Sequence, residues 1–309
     1  MLCLVSSFLL ASILKICTGV GDWCYQAQVN CNSTCKGPDI WYKVHKDCNS
    51  HRQSPINIVT KSSRPDTRLT PLVFTGYQKA FRAVLRNDGH SVKVTLPHGS
   101  SVSGGNLQGI YNAVQFHFHW GEKGGPGSEH TLDGEQYPME LHIVHMRNDF
   151  SSLDEAIKDP SGVAVLGFFY EESKSPNRKY DAFIHALKAM ENDRTATTNS
   201  EISLHNLILS EANMTQYFRY DGSLTTPTCS EAVIWTVFEH PIPLGRDQLL
   251  AFSSLKYSDG MPMVKTFRPV QPRRGRPVYR SCSSSSVAVG SLAPLLVSVS
   301  AALGLSQLN

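Results

Sequence analysis

The chain has 309 residues, enough for one large domain or two small ones. Its 41% apolar and 18% charged residues are ordinary for a globular protein, and no fixed-period repeat points to a solenoid. A formal net charge of +3 is too small for the basic footprint of a nucleic-acid binder.

Both ends read as processing signals. Met1 to Leu14 is almost wholly apolar or small, Lys15 is the first charge, and small residues (Thr18, Gly19, Gly21) follow, so residues 1–21 are expected to be a secretory signal peptide. Two of the eight cysteines, Cys3 and Cys17, fall in that segment, and Cys282 lies near the far end. Cys24, Cys31, Cys35, Cys48 and Cys229 remain; clustered in an exported chain they imply disulfides, and the absence of a C-x-x-C pair argues against a zinc ribbon. An odd number leaves one thiol over or brings in Cys282. The sequons at Asn32 and Asn213 fit the secretory route as glycosylation sites. At the C-terminal end, the small polar run Ser281 to Ser286 precedes an uncharged apolar tract, Val287 to Leu308. About 20 apolar residues could span a membrane. With no Lys or Arg after them, residues 281–309 read instead as a glycolipid-anchor signal removed on maturation, with attachment near Ser281 or Ser283.

Residues 22–280 contain no convincing linker and read as one domain. In chain order, strand-like alternation appears at Ser91–Leu96, Ala113–Trp120, Met139–Met146, Gly162–Tyr170 and Ala232–Phe238, separated by turn formers such as Asn87-Asp88-Gly89 and Pro97-His98-Gly99. Helices are few. Ser152-Leu153-Asp154-Glu155 has capping-box spacing, and Tyr180–Asn192 puts Phe183, Leu187 and Met190 on one face. The expected fold is α+β, with a large, mostly antiparallel, twisted central sheet and few short helices.

The chemistry concentrates in Gln115-Phe116-His117-Phe118-His119-Trp120. On a strand, His117 and His119 share one face, while Phe116, Phe118 and Trp120 point into packing. In Glu140-Leu141-His142-Ile143-Val144-His145, the residues Glu140, His142 and Val144 share a face, and His145 lies on the other as a core or surface histidine. The Gly-rich stretch between the two runs allows an antiparallel return, so that His142 could face the His117 and His119 pair. Three neutral imidazoles with a fourth position open is the pattern of catalytic rather than structural zinc. Gln115 and Glu140, each two residues before a histidine, are placed to orient the His117 and His142 rings.

These runs, together with Gly127-Ser128-Glu129-His130-Thr131, Arg52-Gln53-Ser54-Pro55-Ile56-Asn57 and Gly222-Ser223-Leu224-Thr225-Thr226-Pro227, resemble the alpha carbonic anhydrases over about Trp23 to Pro272. The resemblance implies a zinc enzyme that interconverts carbon dioxide and bicarbonate, with Zn(2+) on His117, His119 and His142 and a zinc-bound hydroxide as nucleophile. Zinc lowers the pKa of its bound water to near neutrality, a behaviour for which carbonic anhydrase is itself the standard example. By the same resemblance Thr225 accepts the nucleophile's hydrogen bond and Glu129 accepts the Thr225 proton. Val144, Val165, Leu224 and Trp235, with Thr225 and Thr226, form the substrate pocket, and Tyr25 belongs to an ordered-water network. His90 is the implied proton shuttle. A group of pKa near 7 sheds protons to water at only about 10³ per second if recapture runs near the diffusion limit, so fast turnover needs such a relay. Asp88 stands where several relatives carry Asn, and its charge is expected to raise the His90 pKa.

Cys24 and Cys229 resemble the membrane-anchored branch of the family, the one typified by isoforms four and fifteen. The implied disulfides are Cys24–Cys35 and Cys48–Cys229, with pairing of Cys24 or Cys35 to Cys31 left open. The resemblance further implies sulfonamide-type and anion inhibitors, a bicarbonate transporter as partner, and attachment to the outer face of the plasma membrane. A binding module or structural zinc protein on the same fold would not need the Thr225 and Glu129 pair, His90 or the apolar pocket.

Overall fold

The computed structural model describes residues 23–29, 35–191, 193–257 and 260–282. The expected signal peptide, Cys31, Asn32 and the tail beyond Cys282 lie outside them. A twelve-stranded sheet organises the described residues. We label its main strands β1 (Val84–Asn87), β2 (Val92–Thr95), β3 (Tyr111–Trp120), β4 (Met139–Arg147), β5 (Val163–Ser173), β6 (Tyr217–Gly222), β7 (Val233–Gly245) and β8 (Tyr279–Ser281). They lie in the order β1-β2-β3-β4-β5-β7-β6-β8, with Thr195–Thr197 flanking β1 and Arg64–Asp66 flanking β8. Neighbours along this path are antiparallel except at β5–β7 and between β8 and Arg64–Asp66. The expected α+β class with a mostly antiparallel sheet is the one observed.

Period-two alternation gives this sheet two distinct faces. On one, Phe116, Phe118, Leu141, Ile143, Leu166 and Phe168 are buried in the main core. There they meet α1 (Asp181–Ala189) and α2 (Arg246–Phe252), and the Phe118 ring lies 5.1 Å from both Phe183 and Phe252. Burying each such side chain contributes about 1.5–3 kcal/mol. The opposite face carries Val144, Val165, Phe169, Val233 and Trp235 in a second cluster, beside the histidines of β3 and β4. The site therefore sits on a surface whose rear is fully packed.

Two local signals were resolved differently from their simplest reading. The α1 face buries Phe183 and Leu187 as expected, but a 3-10 turn, Arg178–Tyr180, precedes the helix proper. Ser152 caps a single-turn helix, Leu153–Ala156, through Oγ to the Glu155 N–H. The Glu155 carboxylate does not return to Ser152; it bonds the Ser151 N–H and hydroxyl instead.

Disulfides Cys24–Cys35 and Cys48–Cys229 are formed, the second joining residues 181 positions apart. Cys282 is an exposed free thiol. No helix among the described residues is long and apolar enough to cross a membrane. Ser281 closes β8 with a buried hydroxyl that donates to the Thr215 carbonyl at 2.8 Å.

Candidate metal centre and active site

Register brings the three histidines together. His117 and His119 are two apart on β3, and His142 on β4 lies directly opposite His117. Ring centroids are 5.0, 5.2 and 4.6 Å apart for the pairs 117–119, 117–142 and 119–142. Each ring gives one nitrogen to a fixed acceptor: His117 Nδ1 to Gln115 Oε1 at 2.9 Å, His119 Nδ1 to the Thr266 carbonyl at 2.6 Å, and His142 Nε2 to Glu140 Oε1 at 2.6 Å. These bonds set the tautomers, leaving Nε2, Nε2 and Nδ1 as lone-pair donors. One candidate ligand atom from each histidine lies within 4.8 Å of the others. Burial holds His117 well below the usual imidazole pKa and His119 down at about 3, and lowers His142 despite Glu140. All three are thus neutral, as metal ligation requires.

The cluster fits a cation on one further observation. His119 Nε2 is buried without a hydrogen-bond partner, and so is Glu129 Oε2, which lies 3.3 Å away. Two buried acceptors facing each other are costly unless a proton or a cation sits nearby. Three imidazole nitrogens form the donor set of a catalytic zinc site.

Two carboxylates stand behind the histidines. Glu140 accepts four bonds: Oε2 from the Glu129 and His130 N–H groups at 2.9 and 2.8 Å, Oε1 from His130 Nδ1 and His142 Nε2 at 2.7 and 2.6 Å. Gly167 faces His142 across the ladder, and a Cβ there would come within 3.2 Å of Glu140 Oε1. Burial raises the Glu140 pKa, but the two imidazoles and their bonds outweigh it and hold the carboxyl well below its ordinary range. Glu129 is equally buried. Its Oε1 accepts the Arg268 N–H at 2.8 Å and the Thr225 hydroxyl also favours its ionised form, yet burial dominates and pushes its pKa well up.

The remaining expected residues gather around this centre. Val144 and Trp235 both pair with Val165 in the ladder, and Leu224 packs on the same cluster. The Trp235 ring lies 4.8 Å from His142 and donates Nε1–H to the Ser223 carbonyl at 3.0 Å. Thr225 is buried and Thr226 half-buried. Tyr25 is buried, with a hydroxyl that finds no partner among the described residues, and burial raises its pKa well above the ordinary phenol value.

His90 stacks on Trp23 with ring centroids 3.7 Å apart, and its Nε2 approaches the Trp23 carbonyl at 3.4 Å. Asp88 acts upward on His90, as the sequence suggested, but burial is the larger effect and the net pKa is lowered. Asp88 is also engaged elsewhere: Oδ1 accepts the His90 and Ser91 N–H groups, and Oδ2 pairs with Lys93 at 3.3 Å, a cation that itself lowers His90.

Other residues stand apart from the site. His145 is buried on the opposite sheet face, bonded to the Tyr77 hydroxyl at 2.6 Å and the Ala164 carbonyl at 3.3 Å, so it is a satisfied core histidine. Asn213 is exposed on a 3-10 turn. Sequence reasoning missed several contributors. His130 bonds Glu140 and, through Nε2, the Tyr220 hydroxyl at 2.6 Å; Tyr220 in turn donates to Ser54 Oγ at 2.9 Å. Arg268 reaches Gln53, Ser54 and Cys48 from beneath. His130, Glu140 and His142 also form a metal-like trio, but their close approaches are hydrogen bonds already accounted for.

This fold brings together three histidines that could hold a metal ion, with buried carboxylates behind them. The family model for eukaryotic-type carbonic anhydrase matches residues 36–282. Carbonic anhydrase 4 of Oryctolagus cuniculus is 43% identical over 276 residues, covering 88% of this chain and 87% of the relative. Carbonic anhydrase 4 of Rattus norvegicus is 38% identical, covering 89% of each chain. Carbonic anhydrase 15 of Mus musculus is 36% identical, covering 90% and 89%. The chain belongs to the eukaryotic-type carbonic anhydrase family and is an enzyme of that type.

Proposed function

We propose that the protein hydrates carbon dioxide reversibly to bicarbonate and a proton, using zinc held by His117 Nε2, His119 Nε2 and His142 Nδ1. The observation that carries this reading is the convergence of three lone pairs whose opposite ring nitrogens are each tied to a separate acceptor. Zinc there would supply a water-derived nucleophile at neutral pH, the established behaviour of carbonic anhydrase. It would also favour the ionised form of Glu129 against its burial. An ionised Glu129 only accepts hydrogen bonds, so it takes the Thr225 proton and leaves Thr225 Oγ1 as an acceptor that orients the nucleophile. Val144, Val165, Leu224 and Trp235 offer carbon dioxide an apolar wall, beside Thr226. His90 passes the released proton outwards, and the Tyr25 hydroxyl is free to order water along the way.

Export and attachment to the outer cell surface by a glycolipid belong to the same proposal, with a bicarbonate transporter as a fitting partner and sulfonamides or small anions as fitting inhibitors. The two disulfides and the exposed Asn213 sequon support export. The buried Ser281 hydroxyl favours Ser283 over Ser281 as the attachment residue. Release of the protein from intact cells by a phosphatidylinositol-specific phospholipase tests the anchor.

Stopped-flow hydration with a zinc assay on the same sample tests the chemistry. Fast hydration at one zinc per chain, lost in His117→Ala, is expected. A zinc-loaded but inactive protein would overturn the enzyme mechanism.

A further inference from the structure

Ladder register lines up one row of residues across the sheet. Thr195 pairs with Arg86 on β1, Arg86 with Lys93 on β2, Lys93 with His117 on β3, and His117 with His142 on β4. Paired residues in an antiparallel ladder share a face, so Arg86 and Lys93 stand on the face that carries the histidines. Strands lie about 4.8 Å apart, which puts Lys93 one strand and Arg86 two strands, about 10 Å, from His117. The row begins in water, since Thr195 and Arg86 are exposed. Its charge is uneven. β1, β2 and β3 contain no Asp or Glu, and Arg86 and Lys93 are their only Lys or Arg residues. Asp88, in the turn between β1 and β2, pairs with Lys93 at 3.3 Å through Oδ2, while its Oδ1 is taken by the His90 and Ser91 N–H groups. The two partners are 40% and 35% exposed, and such pairs hold weakly. Arg86 makes no ion pair among the described residues. Asp193 and Arg194, just before Thr195, carry opposite charges. One positive charge is left over along this row.

We propose that Arg86 and Lys93 form a cationic approach that draws bicarbonate from the sheet edge towards the histidine centre. This role rests on the carbon dioxide reaction proposed above and separates its two carbon species. Carbon dioxide is neutral and gains nothing from the row, whereas bicarbonate carries a negative charge and is concentrated by it. Both cations are solvent-facing, so the attraction is screened by salt and does not trap the anion as product.

Titration calorimetry of the zinc-loaded full chain with thiocyanate, a monovalent anion, tests the approach without turnover. Arg86 is exposed and makes no ion pair, so its variants fold. At about 0.01 M ionic strength Arg86→Gln should weaken binding about two- to threefold and Arg86→Glu about five- to tenfold, with Arg86→Lys binding as tightly as the parent. Lys93→Gln, one strand nearer, should weaken it at least as much as Arg86→Gln. At about 0.5 M ionic strength these differences should vanish. Stopped-flow dehydration of bicarbonate should follow the same order at low salt. Because equilibrium ties the two directions together, a lower limiting kcat/KM for bicarbonate comes with a higher pH midpoint of the profile. Absence of hydration by the parent enzyme would sink the carbon dioxide reading and this one with it. Fast hydration by the parent, with equal anion affinity in all the variants or with differences that persist at high salt, overturns the cationic approach alone.

Discussion

Glu129 and Glu140 are both fully buried, both adjoin the histidine cluster, and burial raises both of their pKa values; yet Glu140 ends well below the ordinary range and Glu129 well above it. The difference lies in what faces each oxygen. Glu140 fills its acceptor sites with two imidazole N–H groups and two backbone N–H groups, whereas Glu129 leaves Oε2 unpartnered beside His119. Depth alone therefore does not set the charge of a buried acid; the supply of donors does. Glu140 is complete within the protein, and Glu129 keeps one oxygen unpartnered.

The largest break in that contrast is Glu140→Ala. It strands His130, His142 and two backbone donors, and should lower unfolding free energy by about 3–5 kcal/mol in denaturant titrations. Glu129→Gln keeps an acceptor for the Arg268 N–H but can donate to Thr225, reversing the polarity at the nucleophile. Turnover should fall roughly 10²–10³-fold in stopped-flow hydration while stability changes little.

Acid titration sharpens the contrast with a base. His145 meets a phenol and carbonyls rather than a carboxylate, and burial holds its pKa down to about 4 from the ordinary 6.5. The unfolded chain binds that proton first, so the stability is complete above pH 6.5 and is lost as pH falls towards 4. The loss should be about 3 kcal/mol, and His145→Gln should flatten this part of the pH–stability curve.

Smaller effects test the periphery. Gln115→Ala frees the His117 ring and should weaken zinc binding about tenfold in chelator competition. At His90, Asp88→Asn should move the midpoint of proton-transfer-limited turnover down in pH and Lys93→Met should move it up, since Asp88 raises and Lys93 lowers that pKa.

The strand runs of β3 and β4 were legible because period-two alternation fixes which side chains share a face; it put His117 and His119 together, an antiparallel return let His142 face them, and the family resemblance named the three as ligands. Gln115 and Glu140 were legible for the same reason, being on the same strands and faces as the rings they hold. Two kinds of partner were not. The acceptor for His119 is a backbone carbonyl 147 residues away, and carbonyls leave no trace in residue identity. The links from His130 to Tyr220 and Ser54 join segments whose approach depends on the whole sheet order, although His130 lay inside a quoted motif. The Asp88 expectation held, since Asp88 acts upward on His90; what the sequence did not show is the larger, opposite effect of burial, because the Trp23 stack that buries His90 comes from a distant segment.

The Cys48–Cys229 bridge also carries a timetable. A ribosome delivers the chain from its N-terminus, so Cys48 must wait for its partner, 181 positions further on. The strands bearing all three histidines are delivered during that interval, but the Thr225 loop, only four positions before Cys229, arrives with the bridge itself. The three histidines can thus meet early in synthesis, while the residue proposed to aim the nucleophile is fastened near its end and only where thiols can be oxidised.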